Sequence, residues 1–380
     1  MINWRFWSPR ERFLVLEVRP QRTGGLLLSV DKDKNIILEK TWADFPAAKM
    51  SPNRTSGVLR KKTLIVSVDP ALSAVLAFPV ELRRDPTNSL TPLNLIELEN
   101  LLAQSISKVF NKHRAEAAQK LGLHELDAIL VNSKVGNFKI DGHHVVNPIG
   151  FPGGSVGAVL ELTFTTRPIF ENLKDLWNAS EGFFMTNFAR SGLMLLSRTQ
   201  PPPVNLITAS YDKTLCYSMK KAAWGNIVYE GKLDWLYNSV FRAVALSVGV
   251  SRDVVWGLYQ YYLNNELSED FRRTFERIVR PEADRFFKEL KKSKLGGRVY
   301  FYSSVPLPFL ASARYGRVVV DEFPLSQTLN KTGFRLDSSG WILPSREIFM
   351  RLAPFFEFYY DQSDSDINQC LRRRLHWLIQ

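Results

Sequence analysis

The chain has 380 residues, more than one ordinary hydrophobic core needs, and this length favours two or three domains. Hydrophobic residues make up 45% of the chain and charged residues 23%, a composition that excludes a disordered or fibrous protein. The 50 Lys and Arg residues outnumber the 38 Asp and Glu residues, and the resulting net charge of +12 predicts anionic partners.

The first elements in chain order predict a β-meander followed by a unit that mixes strands and a helix. Apolar runs between short polar turns predict strands at 13–18, 26–31, 35–41 and 63–68. Thr91-Pro92 is a capping hydroxyl followed by proline, and it predicts the start of a helix that ends near Gly122. Further strands are predicted at 128–132, 137–140 and 158–165. We therefore assign 1–85 to a first half and 86–166 to a small insertion.

The Pro-rich stretch Thr199–Pro203 predicts a linker, and the elements after it repeat the order found at the start. Before it, a helix is predicted at 168–179 and a strand at 192–197. After it, strands are predicted at 204–209, 214–219 and 226–229, and helices at 233–246, 252–263 and 268–292, the last interrupted at Pro281. The repeated opening predicts an internal duplication. The resulting parts are 167–200 in the first half, 203–325 as the second half with its helical region 233–292, 326–362 as a candidate return to the first half, and 363–380 as a tail.

A pattern of strands and turns lies between Leu130 and Phe151. The strand residues lead into the turn Asp141-Gly142, and Pro148-Ile149-Gly150 follows a few residues later. This pattern resembles the inserted subdomain of the FtsA and PilM branch of the actin-like ATPase superfamily. The resemblance implies an α/β protein with a duplicated actin-like (ribonuclease H-like) fold and an inserted small α+β subdomain of the SHS2 type. The alternative is an ordinary hairpin turn followed by a surface loop.

The resemblance also implies where a nucleotide site would lie. ATP-binding members of the fold hold the phosphates with two hairpins of the pattern Asp-x-Gly, and a Gly-Gly turn faces the nucleoside. In the first hairpin Glu17 replaces the expected acid, and Pro20 lacks a backbone donor. The predicted positions of this degenerate nucleotide site are Glu17, Ser210, Thr214, Ser303 and Ser304. We expect no catalytic residue, no ATP hydrolysis and no resident cofactor, and weak binding of ATP with magnesium stays open.

The sequence shows no other pattern typical of catalysis or metal binding. Its 5 histidines form no helical metal pair, and no Cys/His spacing or Walker-type loop occurs. Its 2 cysteines cannot form a disulfide framework, which favours a reducing compartment. The first residues lack the apolar core of a signal peptide, and no apolar run reaches the roughly 18 residues of a membrane-spanning helix. We therefore expect a cytoplasmic protein without a metal site.

The last residues of the chain predict an amphipathic helix with a basic side. FtsA proteins end in a similar helix, so the resemblance implies contact with an anionic membrane surface. The predicted membrane-binding residues are Ile367, Leu371, Arg372, Arg373, Arg374, Leu375, Trp377 and Leu378. The alternative is a terminal helix docked on the protein's own core, since such a helix has the same spacing of apolar residues.

The helical region 233–292 carries the candidate partner-binding surface. Its basic side chains suit an acidic peptide, although a charge run is usually a solvated face. The predicted partner-binding residues are Arg272, Arg273, Arg277, Arg280 and Lys288.

The resemblance, together with the degenerate loops and the basic tail, implies an adaptor of the FtsA type in bacterial cell division. It would be a pseudo-ATPase on the inner face of the cytoplasmic membrane, and it would recruit a filament-forming division protein or the cytoplasmic tail of a membrane protein. Self-association is a further expectation. The alternatives are a PilM-like cytoplasmic platform of type IV pilus assembly and a residual ATP-binding ATPase. No nucleic-acid partner is expected, because the sequence has no recognised nucleic-acid module.

Overall fold

The computed structural model describes residues 10–45, 62–210, 213–222, 225–295, 297–303, 305–310, 313–322, 329, 331–337, 346–362 and 367–368. Two compact units divide the chain. The first contains Met1–Thr199, Lys221–Ile227 and Leu325–Gln380, and the second contains Gln200–Lys220 and Val228–Pro324. In chain order the strands and helices are β1 (Glu11–Val18), β2 (Thr23–Val30), β3 (Asn35–Trp42), β4 (Thr63–Val68), β5 (Ser73–Arg83), α1 (Leu95–Leu121), β6 (Ala128–Ile140), β7 (His143–His144), β8 (Ser155–Thr166), α2 (Arg167–Ala179), β9 (Gly182–Asn187), α3 (Phe188–Thr199), β10 (Val204–Ala209), β11 (Thr214–Ala222), β12 (Gly225–Leu233), α4 (Asn238–Val248), α5 (Arg252–Leu263), α6 (Glu269–Lys292), β13 (Gly297–Ser303), β14 (Ala313–Tyr315), β15 (Val318–Glu322), β16 (Arg335–Leu336) and α7 (Arg346–Gln362).

The first unit is built on a six-stranded sheet with the order β16-β3-β2-β1-β4-β9. Strand β1 pairs antiparallel with β2 and parallel with β4, which in turn pairs parallel with β9. The central strands are apolar on both faces because helices cover both. Leu14 lies in one core cluster with Leu173 of α2, whereas the ring of Phe13 lies 5.1 Å from that of Phe355 of α7 on the other side.

A second sheet of the first unit has the order β5-β8-β6-β7, and α1 packs on one face of it. The inserted subdomain therefore begins at β5, near Ser73, whereas the sequence prediction started the insertion at residue 86. Strand β5 lies at the edge of the sheet, where Pro79 can be accommodated without a ladder hydrogen bond. The two strands predicted at 128–132 and 137–140 are one strand, β6, with register shifts near both ends of the predicted gap.

The second unit repeats the pattern with a sheet of the order β12-β11-β10-β13-β15-β14. Strand β10 pairs antiparallel with β11 and parallel with β13, as β1 does with β2 and β4. Helices α4, α5 and α6 follow the meander. Helix α6 continues through Pro281, because buried side chains on both sides of the proline, Val279 and Phe286 among them, hold one face against the core.

One predicted element has the wrong type. The run 192–197 was expected to be a strand, but it belongs to helix α3, and the strand of this region is β9. Residues Phe188 to Leu196 of α3 are buried almost all round, except Arg190. A short apolar run that is buried on every side has no periodicity by which a helix and a strand can be told apart.

Candidate functional site

The first hairpin, where the sequence predicts a degenerate nucleotide site, contains a buried cluster of three charges. Glu17, at the end of β1, is 3% exposed. Its carboxylate accepts hydrogen bonds from the guanidinium of Arg19, with an ion-pair distance of 2.8 Å, and from Arg351 of α7 at 3.4 Å. Two cations thus surround one carboxylate, and we call this group the Arg19–Glu17–Arg351 triad.

Residues of β2 and β3 hold Arg351 in this position. Its guanidinium also donates to the carbonyl oxygens of Gly25 at 3.3 Å and Trp42 at 3.2 Å. Gly24 lies opposite Glu17 in the β1–β2 ladder, and a Cβ atom there would lie 2.5 Å from a guanidinium nitrogen of Arg351. Gly24 therefore gives the arginine its space. The sequence interpretation missed Arg351, although a basic residue within an apolar helix was the available signal.

The carboxylate of Glu17 is held by cations of the chain itself rather than left open toward a ligand. A metal-organising acid needs free oxygen lone pairs. Here both carboxylate oxygens of Glu17 accept from arginine side chains. The described residues include no group of three or more His, Cys, Asp or Glu side chains that could hold a metal ion.

In the second hairpin and the third loop, Ser210 and Ser303 form hydrogen bonds within their own turns, whereas the hydroxyl of Thr214 is buried without a described hydrogen-bond partner. The backbone N–H and the hydroxyl of Ser210 both donate to the carbonyl oxygen of Lys213, each at 2.9 Å. Thr214 is fully buried. The hydroxyl of Ser303 accepts from the backbone N–H of Val305 at 3.3 Å. Ser304 lies outside the described residues. Each described polar group is thus engaged within its own turn or buried under it.

The Asp141-Gly142 turn and the loop after Pro148 are joined by one carboxylate. Asp141 accepts hydrogen bonds from the backbone N–H groups of Ser155 at 2.8 Å and Gly154 at 3.1 Å. Gly153 allows this approach, because a Cβ atom there would lie 2.4 Å from Ile140. The backbone N–H groups of Ser155 and then Gly154 lower the pKa of Asp141 below its ordinary value of 3.8. The hydrogen bonds of Asp141 therefore explain why an acidic residue in the turn occurs together with glycines in the following loop.

Replacing Asp141 by asparagine is expected to change how stability depends on pH. Because the folded-state pKa of Asp141 is lowered, its stabilisation is fully present above the ordinary value of 3.8 and is lost as the pH falls through the folded-state pKa. The difference in unfolding free energy between the unmodified chain and Asp141→Asn should therefore be largest near neutral pH and shrink in acid. Urea unfolding between about pH 2 and pH 7 measures it. Asp33→Asn controls for the change in net charge, and a difference that stays constant with pH contradicts the prediction.

The start of the predicted C-terminal tail packs on the inserted subdomain, which corrects one membrane-binding prediction. Ile367 is 2% exposed and belongs to the core cluster between α1 and the four-stranded sheet. The next residue, Asn368, accepts from the backbone N–H of Val135 at 2.8 Å and donates to its carbonyl oxygen at 3.2 Å. Ile367 was predicted to face lipid but fills a core instead. The other predicted membrane-binding residues, Leu371, Arg372, Arg373, Arg374, Leu375, Trp377 and Leu378, lie outside the described residues.

The predicted partner-binding residues all lie on α6 and are exposed. Two of them are neutralised on the same helix, because Arg272 pairs with Glu276 at 3.2 Å and Arg273 pairs with Glu269. The other three, Arg277, Arg280 and Lys288, form no ion pair with any described residue. The structure therefore divides the predicted set into two groups.

The duplicated topology defines the class of protein. The order β3-β2-β1-β4-β9 recurs as β12-β11-β10-β13-β15, and the four-stranded sheet is inserted in the first copy after β4. This is an actin-like fold with an inserted α+β subdomain, and the predicted fold class is confirmed.

Among solved structures, the chain is similar to a chain of the PilM-PilN type IV pilus biogenesis complex, at 13% identity and a TM-score of 0.47, over 97% of this chain and 99% of that chain. It is also similar to the cytoplasmic domain of EpsL, an inner membrane component of the type II secretion system of Vibrio cholerae, at 11% identity and a TM-score of 0.31, over 92% and 95%. The ethanolamine utilization protein EutJ from Carboxydothermus hydrogenoformans matches at 8% identity and a TM-score of 0.34, over 96% and 90%. These are distant likenesses of fold. No family model and no curated protein matches the chain.

Proposed function

We propose that this protein is a membrane-associated scaffold with an actin-like fold that does not hydrolyse ATP. The observation that carries the proposal is the Arg19–Glu17–Arg351 triad. An ATPase of this fold needs a free acid at the first hairpin to organise metal and water. Glu17 is 3% exposed and both of its carboxylate oxygens accept from arginines, which supports a structural role for this acid instead of a role in metal binding.

The second hairpin and the third loop support the same proposal. Phosphate binding in this fold uses backbone N–H groups that the chain does not itself occupy. The N–H of Ser210 donates within its own turn, and the hydroxyl of Ser303 is bonded to Val305. Polar groups of Glu17, Ser210 and Ser303 are therefore committed to the chain's own structure.

Two kinds of partner suit a scaffold of this class, and the burial of Ile367 favours one of them. The FtsA-like prediction counts Ile367 among the residues that contact lipid, but Ile367 is 2% exposed in the inserted subdomain. A PilM-like platform that holds the cytoplasmic tail of a membrane protein does not need this contact. A pull-down from a bacterial membrane extract distinguishes the two, because a filament-forming division protein supports the first and pilus components support the second.

Described helices include none that is long and apolar enough to cross a membrane.

ATP turnover of the purified chain tests the pseudo-ATPase proposal. In the presence of magnesium, phosphate release is expected to equal that of the buffer blank, because the carboxylate of Glu17 is bound by Arg19 and Arg351. A catalytically active protein of the same fold serves as the positive control. Turnover that Glu17→Ala abolishes, without a matching loss of folded protein, contradicts the proposal.

A further inference from the structure

Helix α6 carries two kinds of basic residue. Four of them pair with acids three or four positions away on the same helix: Arg272 with Glu276, Arg273 with Glu269, Arg285 with Glu282 and Lys292 with Glu289. Four others form no ion pair or hydrogen bond with any described residue, and we call them the α6 stripe: Arg277, Arg280, Lys288 and Lys291. The four residues of the α6 stripe are therefore the basic residues of this helix whose charge is not neutralised by a described ion pair.

The α6 stripe lies on one face of the helix. At 100° per residue its four members lie within roughly 80° of one another around the helix, and they extend over about 21 Å of its length. The buried residues Phe275, Val279 and Phe286 lie on the other side, against the core of the second unit. Asp284 lies on the same face as the stripe and lowers its net charge, but cations remain in excess.

The chemistry of this face indicates the kind of partner. No large hydrophobic side chain is exposed along the described α6. Protein-docking surfaces have an apolar centre, and single-stranded nucleic acid stacks its bases on aromatic side chains. A convex face with an excess of cations and no exposed apolar centre instead suits a flat array of negative charges.

We propose that the α6 stripe binds the anionic phospholipid headgroups of a membrane surface. This inference rests on the membrane association in the proposed function and adds a site for it that is separate from the C-terminal tail. The α6 stripe differs from the predicted partner-binding set in two ways. It leaves out Arg272 and Arg273, because both are paired with acids on the helix, and it includes Lys291. Binding is electrostatic, so it should weaken steeply with salt.

Co-sedimentation with vesicles tests the α6 stripe on the full chain. The probe is phosphatidylcholine vesicles with about one third phosphatidylglycerol, compared with phosphatidylcholine alone at low salt. The quadruple variant R277Q/R280Q/K288Q/K291Q is expected to bind the anionic vesicles about tenfold more weakly or worse. The matched variant K108Q/K112Q/K174Q/R242Q removes the same charge from exposed cations of α1, α2 and α4, and it should bind nearly as well as the unmodified chain.

The outcomes separate the α6 stripe from the membrane association in the proposed function. Equal loss in the two quadruple variants overturns the stripe and indicates a general charge effect. Unchanged binding by the stripe variant, with loss in R372Q/R373Q/R374Q, overturns the stripe and leaves the membrane association standing. No binding by the unmodified chain overturns both. Stripe-dependent binding to double-stranded DNA that is tighter than binding to the anionic vesicles also overturns the proposal, and thermal unfolding checks that each variant is folded.

Discussion

Replacing Glu17 by alanine is expected to lower the free energy of unfolding by about 3–5 kcal/mol, because it leaves two buried cations without their counter-charge. The side chains of Arg19 and Arg351 are 7% and 3% exposed, so water cannot replace the lost carboxylate. Urea unfolding followed by tryptophan fluorescence measures the change. The same variant should not alter the ATP turnover of the protein, since the proposed role of Glu17 is structural.

Glu39→Ala is the matched control for this prediction. Glu39 pairs with Arg12 at 3.1 Å, but the two side chains are 24% and 54% exposed. Such surface pairs contribute at most about 1 kcal/mol. Gly24→Ala tests the same triad from the neighbouring strand, because its Cβ atom would displace Arg351. Similar effects of Glu17→Ala and Glu39→Ala would show that the triad does not stabilise the first unit.

Replacing Ile367 by aspartate is expected to destabilise the inserted subdomain by about 4 kcal/mol. The substitution removes a buried aliphatic side chain and places a carboxylate in an apolar core. Ile367 is 2% exposed and shares its cluster with Leu102 and Phe164. Urea unfolding gives the overall loss, and hydrogen exchange of the β6 amides shows whether the inserted subdomain opens first.

Ile96→Asp provides the control for Ile367→Asp, because Ile96 lies on α1 of the same subdomain and is 69% exposed. It should change stability by no more than about 0.5 kcal/mol. The sequence analysis instead predicted that Ile367 contacts the membrane. If Ile367 contacts lipid, Ile367→Asp reduces vesicle binding and leaves the unfolding free energy unchanged, and that result contradicts the core assignment.

The repeated β-meander could be predicted from the sequence because its signals are local. Apolar runs between polar turns predict β1 to β3, β10 and β11 to within about three residues of their observed bounds, whereas β12, predicted to end at 229, extends to Leu233. The capping position of α1 was predicted less well, since the capping side chain is that of Asn94 rather than Thr91. Thr91 instead belongs to the turn before the helix, where its hydroxyl donates to the carbonyl oxygen of Asn88.

The candidate site could be predicted only in part, because its decisive contacts are distant in the chain. The sequence singles out Glu17, but its partner Arg351 lies at the other end of the chain, and no local pattern connects them. Val135 and Asn368 are likewise 233 positions apart. The burial of Ile367 could not be predicted either, because a helix that faces lipid and a helix that faces a core have the same spacing of apolar residues.

The Arg19–Glu17–Arg351 triad has a consequence for the order in which the protein can fold during synthesis. Domains generally form as units from the N-terminus as the chain emerges. The central strand β1 is made first, but α7, which supplies Arg351 and packs Phe355 on Phe13, is among the last described elements. The whole second unit is therefore synthesised before the first can close its own core. The face of the N-terminal sheet that carries Phe13 therefore lacks helix α7 until nearly the entire chain has been synthesised.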